Sequence, residues 1–320
     1  MLNSLLIHSA LYFLSFLLVW VGSGLVVSSI SHLARSWRLP AFIISFFILG
    51  LLTSLPEITI STIAILNDDP VIVAGNLLGG VIVLLLGVIP LLGVVGNGVK
   101  IPAQLDKKQL IFTLLVIVAP AFLTADQQLN KWEAVFLVLL YFSLLAFFSF
   151  QSTIWDRVRS GLVQKNKNWV KLLVRTFIGI AFLIGASHQI VNSTLYFADE
   201  FHVSPFFVSL IIVAIGTNLP EISIVFRSIL SKKRDVAFAD YLGSASANTL
   251  LLGVFTFLHG QTIYLPNHFF QRFAFLALGL VLFFFFARSR NSLSRKESLI
   301  LLCLYVSFIL FEIFFVTNLN

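Results

Sequence analysis

Two glutamates stand where an apolar chain would ordinarily exclude them: Glu57 in LLTSLPEITI, residues 51–60, and Glu221 in IGTNLPEISI, residues 215–224. Each follows a proline, Pro56 or Pro220, and each has a threonine four positions back, Thr53 or Thr217. A carboxylate at the centre of a bilayer costs about 2.5–3.5 kcal/mol on insertion scales. A chain that bears this cost twice, at matching points, needs negative charge there. Proline inside a helix also removes one amide and displaces the carbonyl four residues back, which here means Leu52 and Gly216. Hydroxyl, carbonyl and carboxylate oxygens within one turn make a hard-oxygen set, suited to Na⁺, Ca²⁺, Mg²⁺ or Mn²⁺.

A second polar feature lies in ADYLGSASANTLLLG, residues 239–253, where Asp240, Ser244 and Asn248 recur at i, i+4 and i+8. That spacing sets all three on one helix face. Laying residues 50–89 over 214–253, a constant shift of 164, gives 11 identities in 40 positions, including the Thr-x-Leu-Pro-Glu-Ile block and Gly79/Gly243. The stripe of the first copy is Asn76, Gly80 and Leu84, of which only Asn76 can ligate, so the site is expected to be asymmetric. Structural roles compete with each of these readings. The glutamates could pin broken helices by hydrogen bonds, Ser244 and Asn248 could hold helices together, and Asp240, five residues after Asp235, could sit at the membrane interface.

The elements that must position these residues follow from composition. The chain has 320 residues, 58% hydrophobic and 11% charged, with mean hydropathy +0.99, against about 25% charged residues in soluble domains. Stretches long enough to span a bilayer, about 20 residues, run at 10–31, 40–66, 71–95, 109–125, 134–150, 173–197, 204–230, 236–258, 270–287 and 298–316. The expected fold is therefore an all-α integral membrane protein of ten transmembrane helices. With no Lys or Arg ahead of the first stretch, residues 10–31 read as a helix and not as a cleaved signal peptide. Cys303 is the one cysteine, which excludes an intrachain disulfide and a cysteine metal centre.

Once the spans are drawn, 19 of the 21 basic residues fall on one side, leaving Lys131 and Arg272 on the other. The net charge of +7 thus reads as membrane topology and not as a nucleic-acid surface, with the basic side cytoplasmic and both termini outside. The turn NDDP at 67–70 is acidic where its counterpart SKKR at 231–234 is basic. The two copies therefore enter from opposite faces, as in the inverted repeats that build alternating-access transporters. The expected halves are residues 1–155 and 173–320, joined by a cytoplasmic loop at 156–172 that contains the polar GLVQKNKNW, with the repeated units at about 40–95 and 204–258.

These motifs resemble those of the cation/calcium antiporters, which include sodium/calcium and proton/calcium exchangers; their two repeats look like G-T-S-L-P-E on one helix and G-S-x-x-x-N/D on the next. The resemblance implies Glu57 and Glu221 as acidic ligands, Thr53, Ser54, Thr217 and Asn218 along sodium sites, and Ser244 and Asn248 on the facing helix. It further implies that the backbone carbonyls of Gly50 and Ala214 act as main-chain ligands. The chain departs from the pattern at Leu52 for glycine, at Asn218 for serine, and at Gly80 and Leu84 for serine and asparagine; Asp240 stands where charge could be restored.

The expected activity is secondary antiport, Ca²⁺ against Na⁺ or H⁺, with lipid and inorganic cations as partners and no cofactor. The alternatives are a related antiporter for Mg²⁺, Mn²⁺ or K⁺, or a non-transporting sensor or scaffold of the same fold. An enzyme is disfavoured because no nucleophile–base pair or H-E-x-x-H motif occurs. Four further residues invite assignment: Asp68 and Asp69 as a solvated turn or an ion funnel, His188 as a packing or hydrogen-bonding residue or a proton relay, and Glu312 as a residue snorkelling at a helix end. The small residues of GLVVSSISHLA suit close packing of the first helix against the sixth.

Overall fold

The computed structural model of the protein describes residues 2–35, 44–102, 105–150, 169–230, 234–265, 269–289 and 291–318. The junction at 156–168 and the turn residues 231–233 lie outside these described residues. The chain is a helical bundle: α1 (Leu2–Arg35), α2 (Ile44–Leu49, Gly50–Thr53 and Leu55–Leu66), α3 (Pro70–Val95), α4 (Lys107–Leu123) and α5 (Lys131–Phe150) are followed by α6 (Trp169–Glu200). Then come α7 (Pro205–Thr217 and Leu219–Leu230), α8 (Arg234–His259), α9 (Phe269–Ser289) and α10 (Arg295–Asn318). Among the described residues, seven helices are long and apolar enough to cross a membrane, or nine if each bent pair counts as one span; α9 contributes a shorter apolar stretch, Ala274–Arg288.

Local sequence accounts for the helix boundaries. Pro56, Pro70, Pro205 and Pro220 stand in the first turn of helical segments, where the missing amide proton has no partner to lose. Asp106 and Gln109 cap α4 reciprocally: the Gln109 amide donates to Asp106 Oδ1 at 2.7 Å and the Asp106 amide to Gln109 Oε1 at 2.9 Å.

Two pairs of short antiparallel strands clasp the ends of the bundle: β1 (Val99–Lys100) with β4 (Ser292–Leu293), and β2 (Gln128–Leu129) with β3 (Ile263–Tyr264). β1 and β3 lie 164 positions apart, as do β2 and β4, so the shift that aligns the two sequence copies carries one strand pair onto the other. The pairings also sort the loops between the two ends of α4. Arg234, at the α7–α8 turn, donates to the carbonyls of Gly96 and Gly98 and so joins the β1–β4 end. Asp68, 89% exposed in the α2–α3 turn, lies 3.8 Å from His259 Nδ1 at the foot of α8, towards the β2–β3 end. The acidic turn and Arg234 of its basic counterpart therefore sit at opposite ends of the molecule.

The longest helices, α1 and α6, cross where a Cβ on Gly22 would lie 2.8 Å from the Gly179 carbonyl and one on Gly179 would lie 2.7 Å from that of Gly22. Tyr12 and Thr194 share a 2.8 Å hydrogen bond across the same pair. The first helix pairs with the sixth as expected, but the close approach is made by Gly22, just before GLVVSSISHLA, whereas a Cβ on Gly24 within that stretch would meet nothing within 4 Å. Two other expectations are corrected. Glu312 does not snorkel: α10 turns it inward, and it is only 1% exposed. His188 lies on the exposed face of α6, which removes it as a packing residue.

Candidate functional site

Both α2 and α7 break at the residue after the motif threonine. The axes bend by 44° at Ser54 and by 41° at Asn218. A short π-helical turn precedes each break, Ile44–Leu49 in α2 and Ser209–Val213 in α7; such turns widen the helix and recur at functional positions. The carbonyls of Leu52 and Gly216 do not stand free, as the proline argument expects. At the break each comes within reach of the backbone amide of Ser54 or Asn218. It is the carbonyls of Gly50 and Ala214 that gather polar groups. Gly50 O accepts from Ser54 Oγ at 2.9 Å, Thr53 Oγ1 at 3.3 Å and the Ser54 amide at 3.3 Å. Ala214 O accepts from Asn218 Nδ2 at 2.8 Å, Thr217 Oγ1 at 3.3 Å and the Asn218 amide at 3.3 Å.

The broken helices pack across the molecule: α8 lies on the first half of α2, and α3 lies on the first half of α7. Glycine permits both contacts. A Cβ at Gly243 would overlap the Phe46 carbonyl, and one at Gly79 would overlap the carbonyl of Leu210, the residue equivalent to Phe46 in the second copy. This backbone approach explains why the glycine pair matches in the sequence copies. It also brings Ser244 Oγ to 3.1 Å from Ser54 Oγ and Asn76 Oδ1 to 3.3 Å from Thr217 Oγ1.

Glu57, Glu221, Thr53, Thr217, Ser54, Asn218, Asn76, Ser244, Asn248 and Asp240 are all between 0 and 2% exposed. The two glutamates act on each other electrostatically; Thr217 stands beside Glu57, and Thr53 beside Glu221. Asp240 is buried, and it interacts electrostatically with Glu221 and with Tyr241. Among the described residues no three Asp, Glu, His or Cys side chains converge as a metal-holding group. Asp240 stands close enough to Glu221 to act on it from the facing helix.

The interior holds a surplus of acceptors. Glu57 Oε2, both Oε atoms of Glu221, both Oδ atoms of Asp240, Asn218 Oδ1 and Asn248 Oδ1 are buried with no hydrogen-bond partner. Native interiors pair nearly all such atoms, and an orphaned one costs about 1–3 kcal/mol, more when charged. Seven oxygens in one pseudo-symmetric region make a demand for positive charge that no Lys or Arg among the described residues meets. Sequence reasoning overlooked three neighbours. Tyr241 donates to the Glu221 backbone carbonyl at 3.1 Å. Ser61, one turn beyond Glu57 and on the same face, has a buried, unpartnered hydroxyl. Phe16 of α1 packs on Gly216, two residues before Asn218. The i+4 spacing signals Ser61; nothing local signals Phe16, which comes from a different helix.

At the molecular end, Asp68 and Asp69 form a largely exposed turn, with Asp68 in the left-handed region at φ 61°. Partial burial, and then the adjacent Asp68 carboxylate, raise Asp69 above the usual aspartate range.

Paired broken helices that bring carboxylates and carbonyls together inside a helical membrane bundle define a secondary transporter of cations. Comparison with known proteins narrows this class. The family model for the sodium/calcium exchanger protein matches residues 7–150 and 171–314, and the chain belongs to that family. The two matched stretches are again offset by 164. Among curated relatives, the putative antiporter CaxA of Alkalimonas amylolytica is 28% identical over 250 residues, 76% of this chain and 77% of that protein. The inner membrane protein YrbG of Escherichia coli is 25% identical over 256 residues, 78% of each chain. Solved structures of the sodium–calcium exchanger NCX_Mj share the fold, with TM-score 0.68 and 22% identity over 95% of this chain and 98% of that one. The protein is accordingly a multi-pass membrane protein of the cation-antiporter class.

Proposed function

We propose that the chain exchanges a divalent cation, Ca²⁺ in the first instance, for Na⁺ or H⁺ by alternating access at a site shared by Glu57 and Glu221. The observation that carries this reading is the surplus of buried acceptor oxygens without protein partners around the two helix breaks. A cation taking 6–8 oxygens draws on both repeats at once, and the crossed neighbours, Thr217 by Glu57 and Thr53 by Glu221, make that sharing natural. Ser54, Ser244, Asn218, Asn248 and Asn76 supply neutral oxygens, and Asp240 adds negative field without ligating directly. Pro56 and Pro220 act by holding the breaks open.

In this reading α9 counts as a span, which gives ten, arranged as two inverted repeats of five. The common shift of 164 in the strands, the glycine contacts and the two family matches supports the repeats. The opposite placement of the Asp68 turn and Arg234 supports the inversion. With the basic end cytoplasmic, both termini lie outside.

The test is uptake of radiolabelled calcium by proteoliposomes under imposed sodium or proton gradients. Gradient-driven uptake that Glu57→Gln and Glu221→Gln abolish is the expected result. Cation binding without flux under either gradient would replace antiport with the sensor reading.

A further inference from the structure

The two ends of the site are equivalent by position and opposite in donor chemistry. At the first, the Ser54 hydroxyl donates to the Gly50 carbonyl at 2.9 Å and meets the Ser244 hydroxyl at 3.1 Å. At the second, the same shift of 164 places Asn218 for Ser54, Ala214 for Gly50 and Gly80 for Ser244. Here the Asn218 amide nitrogen donates to the Ala214 carbonyl at 2.8 Å. A Cβ at Gly80 would lie 2.7 Å from Asn248 Nδ2 and 3.5 Å from Asn218 Nδ2. The space of the absent serine is thus filled by two amide nitrogens, one of them held by the Leu77 carbonyl at 3.3 Å.

These groups answer an arriving cation differently. A hydroxyl turns its proton aside and offers lone pairs while keeping its place, which also frees the carbonyl it had bonded. An amide nitrogen carries two protons and no free lone pair. Turning the Asn218 amide over would set its Oδ1 against the Ala214 carbonyl, acceptor to acceptor, and would lose the 2.8 Å bond in a fully buried position. The Ala214 carbonyl is therefore committed to an internal donor, whereas the Gly50 carbonyl can be released.

We propose that the Asn218 amide nitrogen takes the place of a monovalent cation in the second-repeat half of the site, while its unpartnered Oδ1 stays with the shared divalent site, so that the Gly50–Ser54–Ser244 half alone accepts a sodium ion and the chain binds one counter-ion fewer than a site with hydroxyls in both halves. This makes Asn218 a determinant of coupling stoichiometry. Asn248, packed over Gly80, keeps a second ligand from entering there. The missing serine at Gly80 is then part of the same device and not a separate loss of ligand. The proposal rests on the antiport reading above.

The test compares wild type with Asn218→Ser, which restores the hydroxyl found at Ser54. Calcium uptake into proteoliposomes is measured against internal sodium concentration, and sodium is titrated against the thermal unfolding of the purified protein, which reads binding even in a variant that does not cycle. Asn218→Ser is expected to steepen both sodium curves by about one ion, whatever slope wild type shows. Ser54→Asn, which copies the amide into the first half, is expected to abolish the remaining sodium dependence while divalent binding persists. Sodium slopes unchanged in Asn218→Ser and retained in Ser54→Asn, with wild-type calcium flux intact, would overturn the surrogate and leave antiport standing. A wild type in which no cation affects either uptake or melting would overturn both.

Discussion

Glu221→Gln separates an ion ligand from a structural strut. Both carboxylate oxygens of Glu221 are buried without a hydrogen-bond partner, and Glu57 and Asp240 act on them electrostatically. The amide keeps the shape and removes the charge. Were Glu221 pinning the broken helix α7 through hydrogen bonds, losing a charged bond would destabilise the cation-free protein by about 1.5–3 kcal/mol. The Glu221 oxygens make no hydrogen bond of good geometry, only looser approaches to the Thr53 hydroxyl and the residue's own amide, so the variant loses little, and neutralising the side chain relieves repulsion among buried carboxylates. The variant in chelator is therefore expected to be at least as stable as wild type. The deficit emerges only with cation. At a free concentration of about 100 times Kd, binding stabilises the native state by about 2.7 kcal/mol. If losing one carboxylate weakens the site about a hundredfold, the same concentration gives RT ln 2, about 0.4 kcal/mol. The difference, about 2.3 kcal/mol, is read from thermal unfolding of the purified protein in chelator and in calcium. A variant destabilised equally in both conditions refutes the ligand role and restores the strut.

Asp240→Asn is expected to weaken calcium uptake less than Glu57→Gln and more than Asn76→Ala, because Asp240 contributes field beside the glutamate pair; uptake kinetics of the three variants check the order. Gly243→Ala sets a Cβ against the Phe46 carbonyl and is expected to cost about 1–3 kcal/mol as overpacking. Gly24→Ala and Gly185→Ala, with nothing within 4 Å, are expected to gain about 0.5–1 kcal/mol, and apparent melting temperatures rank them. For Asp69, burial and Asp68 favour the protonated form in the folded state. The folded pKa thus lies above the unfolded one, and the stability linked to this proton is present at low pH and lost as pH rises through the carboxylate range. Asp69→Asn is expected to flatten that part of the stability–pH profile, measured by melting at fixed ionic strength.

Much of the site was legible because its chemistry conflicts with its surroundings. A Pro-Glu pair in an apolar run, repeated at a fixed shift, names Glu57, Glu221 and the helix breaks without any structure. The 3.6-residue period likewise sets Asp240, Ser244 and Asn248 on one face. What stayed hidden depends on contacts between elements far apart in sequence. Nothing in the chain around Leu52 says that its carbonyl will find the Ser54 amide, nor that the Gly50 carbonyl will collect three donors instead. Hydropathy placed Glu312 at a helix end but could not say which way that end faces. The partnership of Asn248 with Gly80 joins residues 168 positions apart, so sequence recorded only a missing serine where the structure has an occupied space.

Where the two repeats agree and where they diverge follows a physical division. The strand pairs and the Gly79 and Gly243 approaches repeat at the shift of 164, and each is a contact of backbone on backbone. A change there displaces a whole helix, and on the antiport reading proposed above a bundle that alternates between two openings needs both helix pairs to move alike. Among the many positions that differ are four that line the buried site, Ser54/Asn218, Asn76/Asp240, Gly80/Ser244 and Leu84/Asn248. On the proposed reading those positions set which ions enter and how many, and they can change without moving a helix. The scaffold then keeps the near-equality of the two open states that alternation requires, while the ligand set is free to place amides in one half and hydroxyls in the other.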